Sequence, residues 1–202
     1  MSITKDSVMS LREKTGAGLI DCKRALAESN GDMDEAVSIL RKKGVATAAK
    51  KSGRSASEGV IAQSISSDRS KGILVEVNCE TDFVAKTDGF VELAHNLAMQ
   101  IAATNPIALD KNSVSDEIIS KEKEIYTEQA KSSGKPDNII EKMVEGRLAK
   151  FYQENCLMEQ AYIKDSEKKI NDLVTETIAT LGENITINRY TRFAIGETDS
   201  EN

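Results

Sequence analysis

The stretch Asn78-Cys79-Glu80-Thr81-Asp82-Phe83-Val84-Ala85-Lys86-Thr87-Asp88-Gly89-Phe90 decides how this chain folds, because a strand pattern ends in it and a helix pattern begins. Before it, Ile73, Val75 and Val77 alternate with their neighbours at the period of two of a half-buried strand. After it, Phe90, Leu93, Ala94, Leu97, Ala98 and Ile101 recur every three or four residues, which gives a helix one apolar face to pack on that strand. Asp82 and Phe83 stand at the corner, where both could project outward. On spacing alone Asp82 reads as a helix cap and Phe83 as ordinary core, and short motifs carry little weight by themselves.

Working outward, a second strand precedes the first across the polar turn Ser67-Asp68-Arg69-Ser70-Lys71, over about Gly59 to Ser66. A third lies far away at Asn184 to Ile195, where Ile185, Ile187, Phe193 and Ile195 are expected to share one face. The three are predicted to form a small antiparallel sheet, covered by the helix after the corner and by one from Ser166 to Leu181 that Gly182 ends. Two charged helical runs, Val114 to Lys131 and Asn138 to Tyr152, flank Ser132-Ser133-Gly134-Lys135-Pro136. A turn of that composition permits immediate reversal, so residues 114–152 are predicted to form a protruding antiparallel helical hairpin of the coiled-coil kind.

The N-terminal 44 residues read as three short helices. Thr15-Gly16-Ala17-Gly18 breaks the first from the second, Asn30-Gly31 ends the second, Asp32 and Glu35 make a capping-box start for the third, and Gly44 stops it. The loop after the first helix exposes Leu19 and Ile20 beside Arg12 and Lys23. Residues 45–58 are Ala, Lys, Ser and Gly with hardly a large apolar group, the composition of a linker that is in part helical. The fold class is therefore α+β, with a three-helix domain over 1–44, a linker over 45–58 and a core domain over 59–202.

Composition bounds the function. In 202 residues, 30% are charged and 4% aromatic, with no Trp and two Pro, the profile of a helix-rich globular chain. No apolar run nears the roughly 20 residues of a membrane span, and Met1 to Leu11 lacks the apolar centre of a signal peptide. The chain thus reads as cytoplasmic, with no membrane partner. Residues 1–55 hold 11 Lys and Arg against 7 Asp and Glu, a net of +4, and the remainder 16 against 26, a net of −10. The basic run Arg41, Lys42, Lys43, Lys50, Lys51 and Arg54 would suit RNA or an acidic protein surface, but a run of this kind is more often a solvated helix end and linker. An acidic whole argues against a specific nucleic-acid partner.

Chemistry has little to stand on. Cys22, Cys79 and Cys156 are far apart and odd in number, so they read as reduced thiols. His95 is the only histidine and has no metal-ligand spacing around it. Neither phosphate-binding glycine loop is present, since Gly16-Ala17-Gly18 follows a helix. No cofactor, metal or catalytic residue is expected, and the sequence favours a binding protein over an enzyme.

Several segments in order resemble the elongation factor Ts family: Leu11-Arg12-Glu13-Lys14-Thr15-Gly16-Ala17-Gly18, Asp21-Cys22-Lys23-Arg24-Ala25-Leu26, Asn30-Gly31-Asp32, Asn78 to Lys86, and Glu141-Lys142-Met143-Val144-Glu145-Gly146-Arg147-Leu148. Five concurrent matches are far more specific than one. The resemblance implies a nucleotide-exchange factor for the translational GTPase elongation factor Tu. It implies a ubiquitin-associated-like N-terminal domain, a core of sheet and helices, and a helical hairpin. It also implies that Thr81, Asp82, Phe83 and Val84 dislodge Mg2+ from the GTPase, with Asp82 and Phe83 entering between its helices. Arg12, Leu19, Ile20 and Lys23 stand where family members place contacts to the same GTPase domain. Many relatives carry two Met at 19 and 20, and Leu with Ile keeps the contact apolar but less adaptable. Longer members have two core subdomains; here the chain after Asn105-Pro106 passes almost directly into the hairpin, so this is a short form with one. Short members pair, which makes a homodimer a further expectation. The rival readings are a ubiquitin-like-binding module, from the three helices, and an RNA-binding protein, from the basic linker.

Overall fold

The structure, a computed structural model, describes residues 3–132 and 136–197. Contacts divide the chain into two compact units, one of Met1–Gln63, Leu74–Asn96 and Asp172–Tyr190, the other of Ser64–Ile73, Leu97–Asn171 and Thr191–Asn202.

In the first unit, α1 (Lys5–Thr15), α2 (Leu19–Glu28) and α3 (Met33–Lys51) form the expected three-helix bundle. Local chemistry sets the ends. Thr4 and Ser7 cap α1 reciprocally, Gly16 closes it at φ 67, and the Asp32 carboxylate accepts from Glu35 N at 2.8 Å to start α3. Leu11, Cys22, Ala25, Leu26 and Ala36 form its core, with Val8, Met33, Val37 and Leu40 packed around them. So small a core is marginal by itself.

Helix α3 corrects the reading of Gly44 as a stop. It runs on through what was expected to be linker to Lys51. A mid-helix glycine costs about 1 kcal/mol against alanine, and tertiary docking offsets that cost. Gly44 is buried, a Cβ there would lie 3.5 Å from that of Ala179, and Arg41 pairs with Asp172 at 2.5 Å, both partners belonging to α8 (Ile170–Leu181).

The sheet has the order β1 (Glu58–Ile65), β2 (Lys71–Cys79), β5 (Ile185–Ala194), antiparallel, with β2 in the middle. Ile73, Val75, Val77 and Cys79 of β2 are all buried, as the period-two pattern requires. After the corner, α4 (Asp82–Ala85) is a single turn and α5 (Asp88–Thr104) buries Phe90, Leu93, Ala94, Leu97, Ala98 and Ile101 completely or nearly so. Strand β5 departs from expectation. Ile185 is buried and Ile187 half-buried, but Phe193 is 59% and Ile195 84% exposed. Asn188 and Arg189 are consecutive exposed residues, so the alternation slips by one and Tyr190, Arg192 and Ala194 become the half-buried set.

The second unit carries the hairpin of α6 (Asp116–Lys131) and α7 (Asp137–Asn155). Arg147 lies over the Tyr126 ring at 5.8 Å and donates to Gln129, while Phe151 and Tyr152 pack near Ile119, contacts that define antiparallel helices. Residues 133–135 of the expected turn lie outside the described residues. A two-stranded sheet stands where the helix was expected to begin: β3 (Ala161–Tyr162) pairs antiparallel with β4 (Asp165–Lys169), so the helix expected from Ser166 begins only at Ile170. Asp-Ser-Glu-Lys-Lys supplies no apolar stripe for a helix to bury. A buried Gln100 fixes the β3 end instead, donating to Gln160 Oε1 and to the Ala161 carbonyl at 3.1 Å and accepting from Ile163 N at 2.9 Å.

Candidate functional site

The corner between β2 and α4 is built from backbone anchors. Thr81, extended at φ −130, is the N-cap of α4, and its hydroxyl accepts from Val84 N at 3.4 Å. Asp82 is thus the first helical residue and not the cap, because its neighbour occupies that place. Phe83 is not core: it is 79% exposed, while Ala85 is buried and Val84 half-buried. Lys86 Nζ, one turn on, donates to Asp82 Oδ2 at 2.6 Å and holds that carboxyl below its usual 3.8. The pair is exposed on both sides and therefore contributes little to stability.

Behind the corner lies a set of groups for which sequence reading gave no signal. Glu183 Oε2 accepts from Glu80 N at 3.1 Å and Thr81 N at 3.0 Å, and its Oε1 accepts from the Thr81 hydroxyl at 2.7 Å. Glu80 in turn accepts from Asn184 N at 2.7 Å, and that bond, followed by the charge of Arg54, lowers the Glu80 pKa. Asn184 is buried and donates to the Arg54 carbonyl at 2.8 Å. The Cys79 thiol points at Thr81 O at 3.2 Å, and burial pushes its pKa up, as befits an inert packing thiol. Glu183 and Asn184 stand about a hundred positions from Glu80 and Thr81, so no local motif could have joined them.

The N-terminal residues singled out from sequence are exposed, Ile20 by 75%. Leu19, Ile20 and Lys23 line a shallow groove of about 440 Å3 with Ile3, Val8 and Met9; Arg12 is exposed but is not among the lining residues. The basic run is largely occupied within the chain. Arg41 pairs with Asp172, Lys43 with Asp21, Lys51 donates to the Gly182 carbonyl, and Arg54 meets Glu80 at 3.5 Å. Three of its six cations thus face carboxylates of the chain, which leaves a weaker field for a polyanion than the sequence suggests.

His95 is exposed on α5 and the three cysteines are buried and reduced. Among the described residues no group of three or more His, Cys, Asp or Glu is placed to hold a metal ion, and no helix is long and apolar enough to cross a membrane.

A ring held out in solvent on an anchored corner suits insertion into a pocket of another macromolecule. Comparison with known proteins gives the class a family. A family model described as Elongation factor TS matches residues 55–197. A protein of Syntrophomonas wolfei named Elongation factor Ts is 57% identical over 195 residues, covering 96% of this chain and 91% of the relative. The one from Thermotoga maritima is 55% identical over 197 residues and 98% of each chain, and that of Nitratidesulfovibrio vulgaris 54% over 200 residues, 99% of this chain and 100% of the relative. The chain belongs to the elongation factor Ts family. Coverage of both partners is nearly complete, so these relatives are short chains of the same length.

Proposed function

We propose that this protein is a cytoplasmic translation elongation factor, the guanine-nucleotide exchange factor of elongation factor Tu. The observation that carries the reading is Phe83, 79% exposed at an anchored corner beside a charged Asp82, in a chain of this family. A GTPase holds GDP through backbone donors, a lysine and a Mg2+ ion bridging phosphate and protein oxygens. Phe83 enters between helices of the nucleotide domain as an apolar wedge; burying an exposed phenylalanine yields about 1.5–3 kcal/mol. Asp82 fixes the displaced arrangement by charge and hydrogen bonds, with Thr81 and Val84 flanking it. Mg2+ is then lost, the phosphate charge is poorly neutralised, and GDP leaves.

Coupling between two ligands of one protein is reciprocal. The factor weakens nucleotide as much as nucleotide weakens the factor, so incoming GTP releases it. No bond is made or broken on this chain, so it is not an enzyme in the chemical sense. Residues 1–44, a ubiquitin-associated-like domain joined to the core of 59–202 through 45–58, of which 45–51 continue α3, supply a second contact to the same GTPase through Arg12, Leu19, Ile20 and Lys23. Two copies pair. Exposure of Ile65, Phe193 and Ile195 in the second unit supports that part of the reading.

The test is stopped-flow release of labelled GDP from elongation factor Tu with and without this protein. Acceleration by the wild type and its loss in D82A/F83A are expected; equal rates for the two would refute the assignment. Retention of a ubiquitin-like protein or salt-sensitive RNA binding, in place of exchange, would favour a rival reading.

A further inference from the structure

We infer that Glu183 is the positioning residue of the exchange corner: its carboxylate holds Asp82 and Phe83 in the geometry that docks, without itself touching the partner. The inference rests on the proposed exchange function. Helix α4 has four residues, far fewer than an isolated helix needs to persist in water. Phe83, 79% exposed, has little packing to orient it. The direction in which the ring leaves the surface is therefore set by the backbone that enters the turn.

That backbone is gripped at the two residues before Asp82. Both free amides, Glu80 N and Thr81 N, donate to one carboxylate oxygen, and the hydroxyl of the capping Thr81 donates to the other. Glu183 is itself well fixed. It follows Gly182, which ends α8 at φ 79 with its amide on the Ile178 carbonyl, and precedes Asn184, whose amide returns to Glu80. The clasp is thus double: the Glu183 side chain takes the corner's backbone, and the Glu80 side chain takes the backbone beside Glu183. A carboxylate suits all three donors because both of its oxygens accept and neither donates.

Removing the carboxylate frees the corner to sample other directions. The partner can still select the docking one, at a cost in apparent affinity equal to the lost fraction. Once docked, the wedge is the same and GDP leaves at the same maximal rate. Glu183 and the residues of the wedge therefore act on different kinetic parameters.

The experiment titrates the full-length protein against elongation factor Tu loaded with a fluorescent GDP and reads half-saturation and maximal release rate separately. In E183A half-saturation is expected to rise about tenfold with the maximal rate within about twofold of wild type. E183Q, which keeps one oxygen for the two amides, is expected to recover most of the loss. Should E183A fail to fold, E183D, which withdraws the charge by one methylene, replaces it. Amide hydrogen exchange on the free protein gives a second readout: Glu80 and Thr81 lose protection in the variant while α8 does not. Wild-type half-saturation in E183A, or a fall in maximal rate alone, would overturn the inference, as would unchanged exchange at those amides. If the wild type itself does not speed GDP release, the exchange function falls, and the amide measurement still decides whether Glu183 holds the corner.

Discussion

Phe83 spends its apolar surface on solvent, so the fold has no use for it. Surface residues without special contacts usually change stability by less than about 0.5 kcal/mol when truncated, and F83A is expected to fall within that range by urea denaturation while losing GDP release. A residue that kept activity but lost stability would be core after all. The adjacency of Thr81 and Asp82 explains why spacing alone gives the cap to Asp82: both are good N-caps, and only the distant Glu183, fixing the Thr81 amide and hydroxyl, assigns the role to the first of them. Asp68, in the turn between β1 and β2, is a second residue whose work is local. Hydrogen bonds from the Ser66 hydroxyl and from Ser70 lower its pKa to about 2 from 3.8. A carboxylate with a depressed folded-state pKa contributes stability that is complete above its unfolded pKa and is lost as pH falls toward the folded one. The wild type is therefore expected to exceed D68A in melting temperature near neutrality, with the gap closing between about pH 4 and pH 2. A gap that stayed constant over that range would show that the turn does not depend on the charge.

At the scale of elements, what could be read was what periodicity controls. The stripe on α5 and the alternation on β2 each bury the residues that spacing selects, because a helix and a half-buried strand have only one way to face a core. Elements escaped reading where tertiary partners outweighed local preference. Gly44 sits inside a helix because α8 lies beside it, and 165–169 pairs as a strand because its neighbour 161–162 offers backbone groups. The phase slip in β5 is of the same kind, invisible in a string of residues that alternates correctly on both sides of Asn188 and Arg189. One glycine is demanded outright. Gly59, at the start of β1, has φ 153, and a Cβ there would lie 2.1 Å from the Val77 carbonyl oxygen and 2.8 Å from Asn78 Cα. Both obstacles are backbone of the strand that leads into the corner, so neither can give. G59A is expected to cost about 3 kcal/mol, a fall of roughly 10 °C in Tm for a chain of this size. Calorimetry showing a loss of only a degree or two would mean that the β1 start is free to move.

For the molecule as a whole, the two proposed contact regions differ in how much they ask of the fold. Arg12, Leu19, Ile20 and Lys23 come from adjoining helices of one small bundle, which is why a short sequence window brought them together. The strand-to-helix corner at 79–82 was legible in the sequence but its support was not, since that support comes from Glu183, about a hundred residues further on. Pairing of two copies belongs to this scale as well. Sedimentation of the wild type is expected to show a dimer at micromolar concentration, and replacing the exposed Phe193 and Ile195 with Ser and Asp is expected to leave a monomer. A wild-type monomer would end the idea. The separation of Glu80 and Thr81 from Glu183, 103 and 102 residues, bears finally on timing during biosynthesis. Domains emerge N-terminus first, so a nascent chain displays Asp82 and Phe83 long before anything can steady them. Only when the residues just after α8 leave the ribosome are the Glu80 and Thr81 amides held, so on the proposed function unfinished copies would engage the GTPase poorly while still being made.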